Sequence, residues 1–392
     1  MSELLLLPSL NAERRPDGTI NVTGKFHTGV EAFASRWEGS VRVIMEPRAG
    51  GTENLDDTLV DPRTLGWGLE VLPFEGAEFD QRMADAGVIL GGLGHRQNGL
   101  AEKARELGVP FATTSEYTLT TRHQIVQADR ESGSLGVLRS LRRKQWEAGQ
   151  ERANLRTVRA AAGVQCNGTP TYEAYAPENP NTLLFFDTRT RDEDVLSDAD
   201  LEARLQRVAA GEPLKLAFTG RLDPMKGARH LPALGAALRD RGVPFEMSIC
   251  GDGRDAETMR AEIAERGLGG LVKMLGVLDF QTELVPFVKE RVDLFVCPHL
   301  QGDPSCTYLE TMAAGVPIVG FANEAWAGIL DRVPAGWRAP LGDVDALAAR
   351  VEEAHQQRTI LAERTRAALR FAREHTYEKS FDRRVEHLSS LR

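Results

Sequence analysis

The chain has 392 residues, a net charge of −9, 42% hydrophobic residues and 27% charged ones. At about 150 residues per domain this length calls for two domains rather than one core, and the apolar and charged fractions exclude wholesale disorder. The acid excess, 57 Asp and Glu against 48 Lys and Arg, argues against a surface that wraps nucleic acid.

The longest early apolar run, Leu4-Leu5-Leu6-Leu7-Pro8, is too short to span a bilayer and lacks the basic flank of a signal peptide, so it reads as a first strand. Further strands are predicted at 41–45, 69–72, 87–90 and 111–114, with helix-like stretches such as 100–107 between them. Strands that alternate with helices imply parallel sheets with crossovers. A stretch at 166–181 holding Pro170, Pro177, Pro180 and several Asn and Gly residues predicts the joint between domains. After an acidic segment at 189–200, Ser197 with Asp200 three residues on predicts a cap for a helix over 201–209. Strands at 214–218, 245–250, 272–275, 294–297 and 318–321 follow, with helices at 230–238, 256–266 and about 307–314. At the end, Tyr377, Phe381, Val385 and Leu388 form one apolar stripe on a terminal helix.

The cysteines, Cys166, Cys250, Cys297 and Cys306, include no C-x-x-C pair. They read as buried free thiols of a reducing cytoplasm, not as a disulfide framework or zinc site. The sequons at Asn21 and Asn167 read as chance matches.

Two segments carry the chemistry. In Thr219-Gly220-Arg221-Leu222-Asp223-Pro224-Met225-Lys226-Gly227 a strand ends in a glycine turn and two cations stand five residues apart. Ligands of open α/β sheets bind beyond the carboxyl ends of strands, where this loop lies. A guanidinium fork and an ammonium point charge there suit a diphosphate, although two solvated surface cations would look the same. In the second, Gly302-Asp303-Pro304-Ser305-Cys306-Thr307 leads into a short helix that ends at Gly315. The free N–H groups and dipole of a helix start suit an anion. Glu310, near the first turn, can accept two hydrogen bonds from vicinal hydroxyls such as those of a ribose; a carboxylate that only complements the helix dipole is the plainer reading.

Together these segments resemble the donor site of glycosyltransferase family 4, retaining enzymes of the two-domain GT-B fold. The matching text is Phe218-Thr219-Gly220-Arg221-Leu222 with Lys226-Gly227, then Ile249-Cys250-Gly251-Asp252-Gly253, Leu275-Gly276-Val277-Leu278, Asp293-Leu294-Phe295-Val296-Cys297-Pro298 and the Glu310 helix. The resemblance is strong over 214–321 and weak over the first 165 residues. It implies two Rossmann-like α/β domains facing across a cleft: an acceptor-binding domain at 1–165 plus 376–392, the terminal helix returning to it, and a nucleotide-sugar domain at 166–375. It implies that Arg221 and Lys226 hold and stabilise the leaving diphosphate, and that backbone groups at Ser305, Cys306 and Thr307 bind the same phosphates. Glu310 would hold the ribose, and the base would lie near Gly251 to Gly253 and Gly276 to Leu278, Val277 included. Gly220 would shape the loop. The activity implied is transfer of a hexose from a nucleotide-diphosphate sugar to a glycan, lipid or small polyol, with no cofactor and no metal if Arg221 and Lys226 supply the charge.

The family usually carries an acid eight residues before the ribose-binding Glu; here that position is Gly302, with Asp303 beside it as a substitute. Gly29-Val30-Glu31 resembles the family's early glycine loop, with Gly24-Lys25 a second candidate for backbone approach to phosphate. In Gly94-His95-Arg96-Gln97-Asn98, His95 stands where the family has a His facing the sugar, able to bond a hydroxyl or handle a proton; a solvent-facing loop His is the alternative. Glu116 is a weaker candidate at another strand end. Two rivals stay open: a nucleotide-sugar epimerase or hydrolase on the same scaffold, and a non-catalytic nucleotide-sugar-binding subunit.

Three other features need weighing. Gly251-Asp252-Gly253-Arg254-Asp255-Ala256 matches a dinucleotide-binding turn, but the next strand ends in Gly276 without the acid that would hold an adenosine ribose. Asp192-Glu193-Asp194 and Asp198-Ala199-Asp200 resemble metal-binding acid pairs but read as a solvated acidic run. Finally, 139–159 holds seven Lys and Arg against Glu147 and Glu151, with Leu138, Leu141, Trp146, Leu155 and Val158 nearby. It reads as a cationic surface helix, or as a contact with anionic lipid on the inner membrane face or with an anionic acceptor.

Overall fold

The computed structural model describes residues 2–48, 57–131 and 133–392. It divides into two units, the first made of Met1–Leu119, Leu141–Phe185 and Glu378–Arg392, the second of Thr120–Ser140 and Phe186–Tyr377.

The first unit contains strands β1 (Leu4–Leu7), β2 (Asn11–Arg14), β3 (Ile20–Thr23), β4 (Val41–Pro47), β5 (Asp57–Val60), β6 (Gly68–Val71), β7 (Val88–Gly92), β8 (Phe111–Ser115), β9 (Gly163–Asn167) and β10 (Thr182–Phe185). All four leucines of β1 are buried, as expected of a strand covered on both faces of a parallel sheet. It pairs with β4 and β7 inside the parallel order β6-β4-β1-β7-β8-β9-β10. β2, β3 and β5 form a ribbon beside β4 in which the β3 pairings are antiparallel.

The stretch at 166–181 is not a linker. Gly163–Asn167 and Thr182–Phe185 pair in parallel, Val164 with Thr182 through Asn167 with Phe185, and Gly168–Tyr175 is a helix between them. Pro170 is tolerated because it lies in the first helical turn, where its missing N–H has no partner to lose. Asn179 is buried and donates to the carbonyls of Val158 and Ala161 at 2.7 and 2.9 Å. The division therefore falls after Phe185 rather than after residue 165, and Thr120–Ser140 joins the second unit.

The terminal helix Tyr377–Ser389 sends its stripe into the first unit. Phe381 meets Phe33 edge-on at 5.1 Å, a burial that contributes roughly 2 kcal/mol. Arg384 and Gln165 exchange hydrogen bonds at 2.9 Å, and Arg36 pairs with Asp382 at 2.6 Å. A Cβ on Gly163 would stand 2.7 Å from His387, so glycine there lets the helix seat.

The second unit has six parallel strands, β11 (Leu214–Thr219), β12 (Phe245–Cys250), β13 (Val272–Gly276), β14 (Leu294–Cys297), β15 (Ile318–Phe321) and β16 (Gly336–Ala339), in the order β13-β12-β11-β14-β15-β16. Leu216, Phe218, Ile249, Leu294, Val296 and Val319 form its core. Arg204 is carried into it only 2% exposed. Its guanidinium donates to the carbonyls of Val288, Lys289, Val292 and Ala314, satisfying two helix ends, and burial lowers its pKa to about 10.

Candidate functional site

Counted from its first strand, the second sheet runs 3-2-1-4-5-6, with the reversal between β11 and β14. Ligands of doubly wound sheets bind at the carboxyl ends flanking that reversal. The two segments singled out in the sequence are the segments that leave β11 and β14.

After β11 the chain turns at Gly220 (φ 145°) and runs into the short turn Pro224–Lys226. Asp223 caps that turn by accepting from the Lys226 N–H at 2.9 Å. A Cβ on Gly227 would lie 1.8 Å from the Pro298 carbonyl oxygen, so only glycine lets this loop touch the end of β14. The contact brings Lys226 to Asp303, Nζ to Oδ2 3.5 Å, with side chains 12% and 16% exposed. Arg221 is 78% exposed and lies 3.6 Å from Asp223, a contact too open to fix it.

After β14, His299 is 1% exposed and neither ring nitrogen has a partner among the described residues. Its ring packs against Phe218 and Tyr308. Burial, helped by the charge of Lys226, holds its pKa well below 6.5. Asn323 locks this corner: it donates to the His299 carbonyl at 3.1 Å, shares a hydrogen bond with the Tyr308 hydroxyl, and accepts from the Trp326 N–H at 2.9 Å. Gly302 donates its N–H to Gln124 at 2.9 Å. A Cβ at 302, the position expected to hold an acid, would stand 2.9 Å from Glu324 Oε2, so a side chain there would require Glu324 to shift.

Ser305 precedes the helix Cys306–Ala313 and bonds Thr307 side chain to side chain at 3.2 Å. The helix stops at Gly315 (φ 69°), where a Cβ would meet Leu196 at 2.5 Å. Glu310 accepts from Arg189 Nε at 2.9 Å. It lines a pocket open to solvent, together with Thr219, Thr311, Phe280, Thr190 and Leu284. Val277, at the end of β13, is 74% exposed.

Gly251 and Gly253 serve backbone packing. Cβ atoms there would lie 1.9 Å from the Gly220 oxygen and 2.5 Å from the Leu222 oxygen, while Gly220 and Leu222 donate to the carbonyls of Cys250 and Asp252 at 3.0 and 2.9 Å. The G-x-G-x-x-A text is thus a turn nested on the Arg221 loop.

In the first unit, Gly29 does not lie in a glycine loop. It is the sixth residue of the helix Gly24–Ala34, capped by Thr23, because Ile20–Thr23 is itself a strand and the helix starts directly after it. Gly24-Lys25, the second candidate, opens that helix. His95 follows β7 in an exposed turn, its ring 5.4 Å from Trp146. Beneath it Gln97, 2% exposed, accepts from the Gly92 N–H at 2.6 Å and donates to the Leu7 carbonyl at 2.9 Å. Gln97 thereby ties β1 to β7 where the first sheet reverses. Glu116 accepts from Asn167 at 3.2 Å. Asp194 closes a short turn by accepting from the Arg191 N–H; Asp198 and Asp200 lie in the first turn of the helix that Ser197 caps.

None of the four cysteines is in a disulfide, and Cys306 is only half-buried. Burial pushes the thiol of Cys166 up to about 11 and those of Cys250 and Cys297 up to about 12. Arg189, His299, Asn323 and Gln97 had no signal in the sequence: each works through partners distant in the chain.

Two doubly wound sheets, the second with a cationic loop and a helix start at its reversal, define a GT-B protein. Residues 201–371 match the model of glycosyl transferases group 1. The amylovoran biosynthesis glycosyltransferase AmsK of Erwinia amylovora is 31% identical over 150 residues, 36% of either chain. The 2-deoxystreptamine glucosyltransferase of Streptomyces kanamyceticus is 29% identical over 152 residues, 39% of this chain and 38% of its own. The chain spans little more than a third of the length of these relatives. HepE of Anabaena, solved in complex with UDP, shares the fold with a TM-score of 0.66 at 16% identity over 100% of both chains.

Proposed function

We propose that the chain transfers a hexose, with retention, from a nucleoside-diphosphate sugar to a hydroxyl of a glycan, lipid or small polyol. The observation that carries this reading is the meeting, at the β11–β14 reversal, of the Arg221–Lys226 loop with the segment leading into the helix Cys306–Ala313. Lys226, enclosed and held by Asp303, is a fixed positive charge. Arg221, exposed and loosely held, is able to turn onto a ligand. Departure of the diphosphate through an oxocarbenium-like state needs stabilisation of the developing negative charge above all, and two cations with the helix start at 306–307 supply it without a metal; the Ser305 N–H, expected to share in this, instead donates to the Asp303 carbonyl at 2.9 Å. Glu310 takes the ribose and Val277 borders the base. His95 is the candidate hydrogen-bonding or proton-handling group for the sugar. The complexes of HepE with UDP and with UDP-glucose support a nucleotide-sugar donor.

The test supplies labelled nucleotide-hexoses with and without an acceptor panel. The expected result is acceptor-dependent transfer that survives EDTA and is lost, by at least about a hundredfold, in an Arg221→Ala/Lys226→Ala variant that keeps its circular dichroism spectrum. Unchanged turnover in that variant rejects the site. Sugar consumption without any acceptor favours an epimerase or hydrolase, and tight nucleotide binding with no turnover favours a binding subunit.

We also propose that the helix Val137–Ala160 rests on an anionic lipid surface. Leu138, Arg142, Gln145, Gly149, Arg152 and Arg156, at steps of four and three residues, are all exposed and form one stripe free of acids. Both carboxylates of the helix lie on its other side: Glu147 is 5% exposed and pairs with Arg143, and Glu151 accepts from Tyr175. Leu138 and Leu141 stand out 74% and 55% exposed. No helix among the described residues is long and apolar enough to cross a membrane.

A further inference from the structure

We infer that Arg189 is the positioning residue of the nucleoside pocket, fixing the Glu310 carboxylate while its guanidinium lies over the Phe280 ring. The inference rests on the donor reading given above, in which Glu310 takes the ribose. Arg189 lies 121 residues before Glu310 in the chain and bonds it through Nε at 2.9 Å. The same guanidinium lies 3.8 Å from the centroid of the Phe280 ring. One side chain thus links the helix Cys306–Ala313 to the segment after β13, and both partners line the pocket.

The bond engages only one carboxylate oxygen. Glu310 Oε2 accepts no hydrogen bond among the described residues, which leaves it for a ligand hydroxyl. Glu310 is 14% exposed while Arg189 is 51% exposed, so the carboxylate is enclosed and its holder is reachable from solvent. A glutamate side chain has considerable rotamer freedom, and ordering it on binding costs affinity. Arg189 imposes that order beforehand, which is how preorganisation strengthens binding. Lysine cannot replace it, because a point charge neither stacks as a plane nor offers a guanidinium Nε.

The inference is tested by calorimetric titration of UDP, GDP and ADP, each beside its 2′-deoxy counterpart and inorganic pyrophosphate, into wild type, Arg189→Ala and Arg189→Lys. The expected result is that wild type prefers the ribonucleotide that binds it, and that both variants weaken it about tenfold. The ribo-to-deoxy ratio should fall towards one, with pyrophosphate affinity unchanged within about twofold. An unaltered ribo-to-deoxy ratio in Arg189→Ala overturns the positioning role and leaves the donor reading standing. Failure of all three nucleotides to bind wild type overturns the donor reading and this inference with it. Equal loss for pyrophosphate and nucleotide assigns Arg189 to general folding and overturns the inference alone; the melting temperature without ligand checks that outcome.

Discussion

Lys226 and Arg221 stand five residues apart and do different physical work. The enclosed Lys226 is tied to Asp303 at 3.5 Å, whereas Arg221 is 78% exposed beside Asp223. The sequence showed the two charges and their spacing, because a strand, a glycine turn and a cation pair are local text. It did not show His299, which becomes notable only when Phe218, Tyr308 and Lys226 fold around it. His299 also makes a pH prediction. Its native pKa lies well below its unfolded value of 6.5 because burial, and then Lys226, disfavour the charged ring. Above about pH 6.5 the ring is neutral in both states and nothing is lost. As pH falls below 6.5 the unfolded chain takes up a proton that the native state refuses, so stability declines towards the lower native pKa. Urea melts at pH 7.5 and 5.5 should show wild type losing about 1 kcal/mol more than His299→Phe over that interval; equal losses would refute the assignment.

At the scale of elements, most parallel strands were legible as short apolar runs bounded by turn residues, but β9, β10 and β16 were not: β9 and β10 flank the proline- and asparagine-rich stretch that read as a linker. The ribbon of β2, β3 and β5 was not legible either, since Asn11–Arg14 offers one buried residue among four. The same blindness misplaced Gly29: with β3 unseen, the helix Gly24–Ala34 read as a loop after the first strand. Gly251 and Gly253 were legible as a glycine turn but not as one nested on another loop, because that need arises from the Gly220 and Leu222 carbonyls opposite. The cationic helix gives the prediction at this scale. Each basic residue near an anionic surface contributes on the order of 1 kcal/mol, and Leu138 and Leu141 add apolar burial. In cosedimentation, vesicles containing phosphatidylglycerol should recover several times more protein than neutral phosphatidylcholine vesicles, and Leu138→Asp/Leu141→Asp should cancel the difference. Equal recovery of wild type on both would remove the membrane reading.

For the molecule as a whole, both sheets follow the same order outward from a central strand, and in both the residues of interest stand where that order reverses: Gln97 and His95 after β7, and Lys226 and Asp303 after β11 and β14. The alternation of strand and helix made two such sheets readable from sequence. The boundary was not readable, because proline and asparagine at 166–181 signal a linker statistically, whereas Asn179 spends its side chain on the carbonyls of Val158 and Ala161 inside the first unit. The apolar stripe signalled a terminal helix, its return to the first unit was implied only by the family resemblance, and its seat against Phe33 and Gln165 depends on pairings hundreds of residues apart.

The central claim is that a diphosphate is gripped at the β11–β14 reversal by the side chains of Arg221 and Lys226. Calorimetry of UDP, GDP and ADP on wild type and on Arg221→Ala/Lys226→Ala tests it most directly, with the matching nucleosides as reference. Each hydrogen bond to a charged partner contributes about 1.5–3 kcal/mol, so the double variant should bind the preferred diphosphate at least about a hundredfold more weakly and the nucleoside as before. Diphosphate affinity that is the same in both proteins would contradict the account.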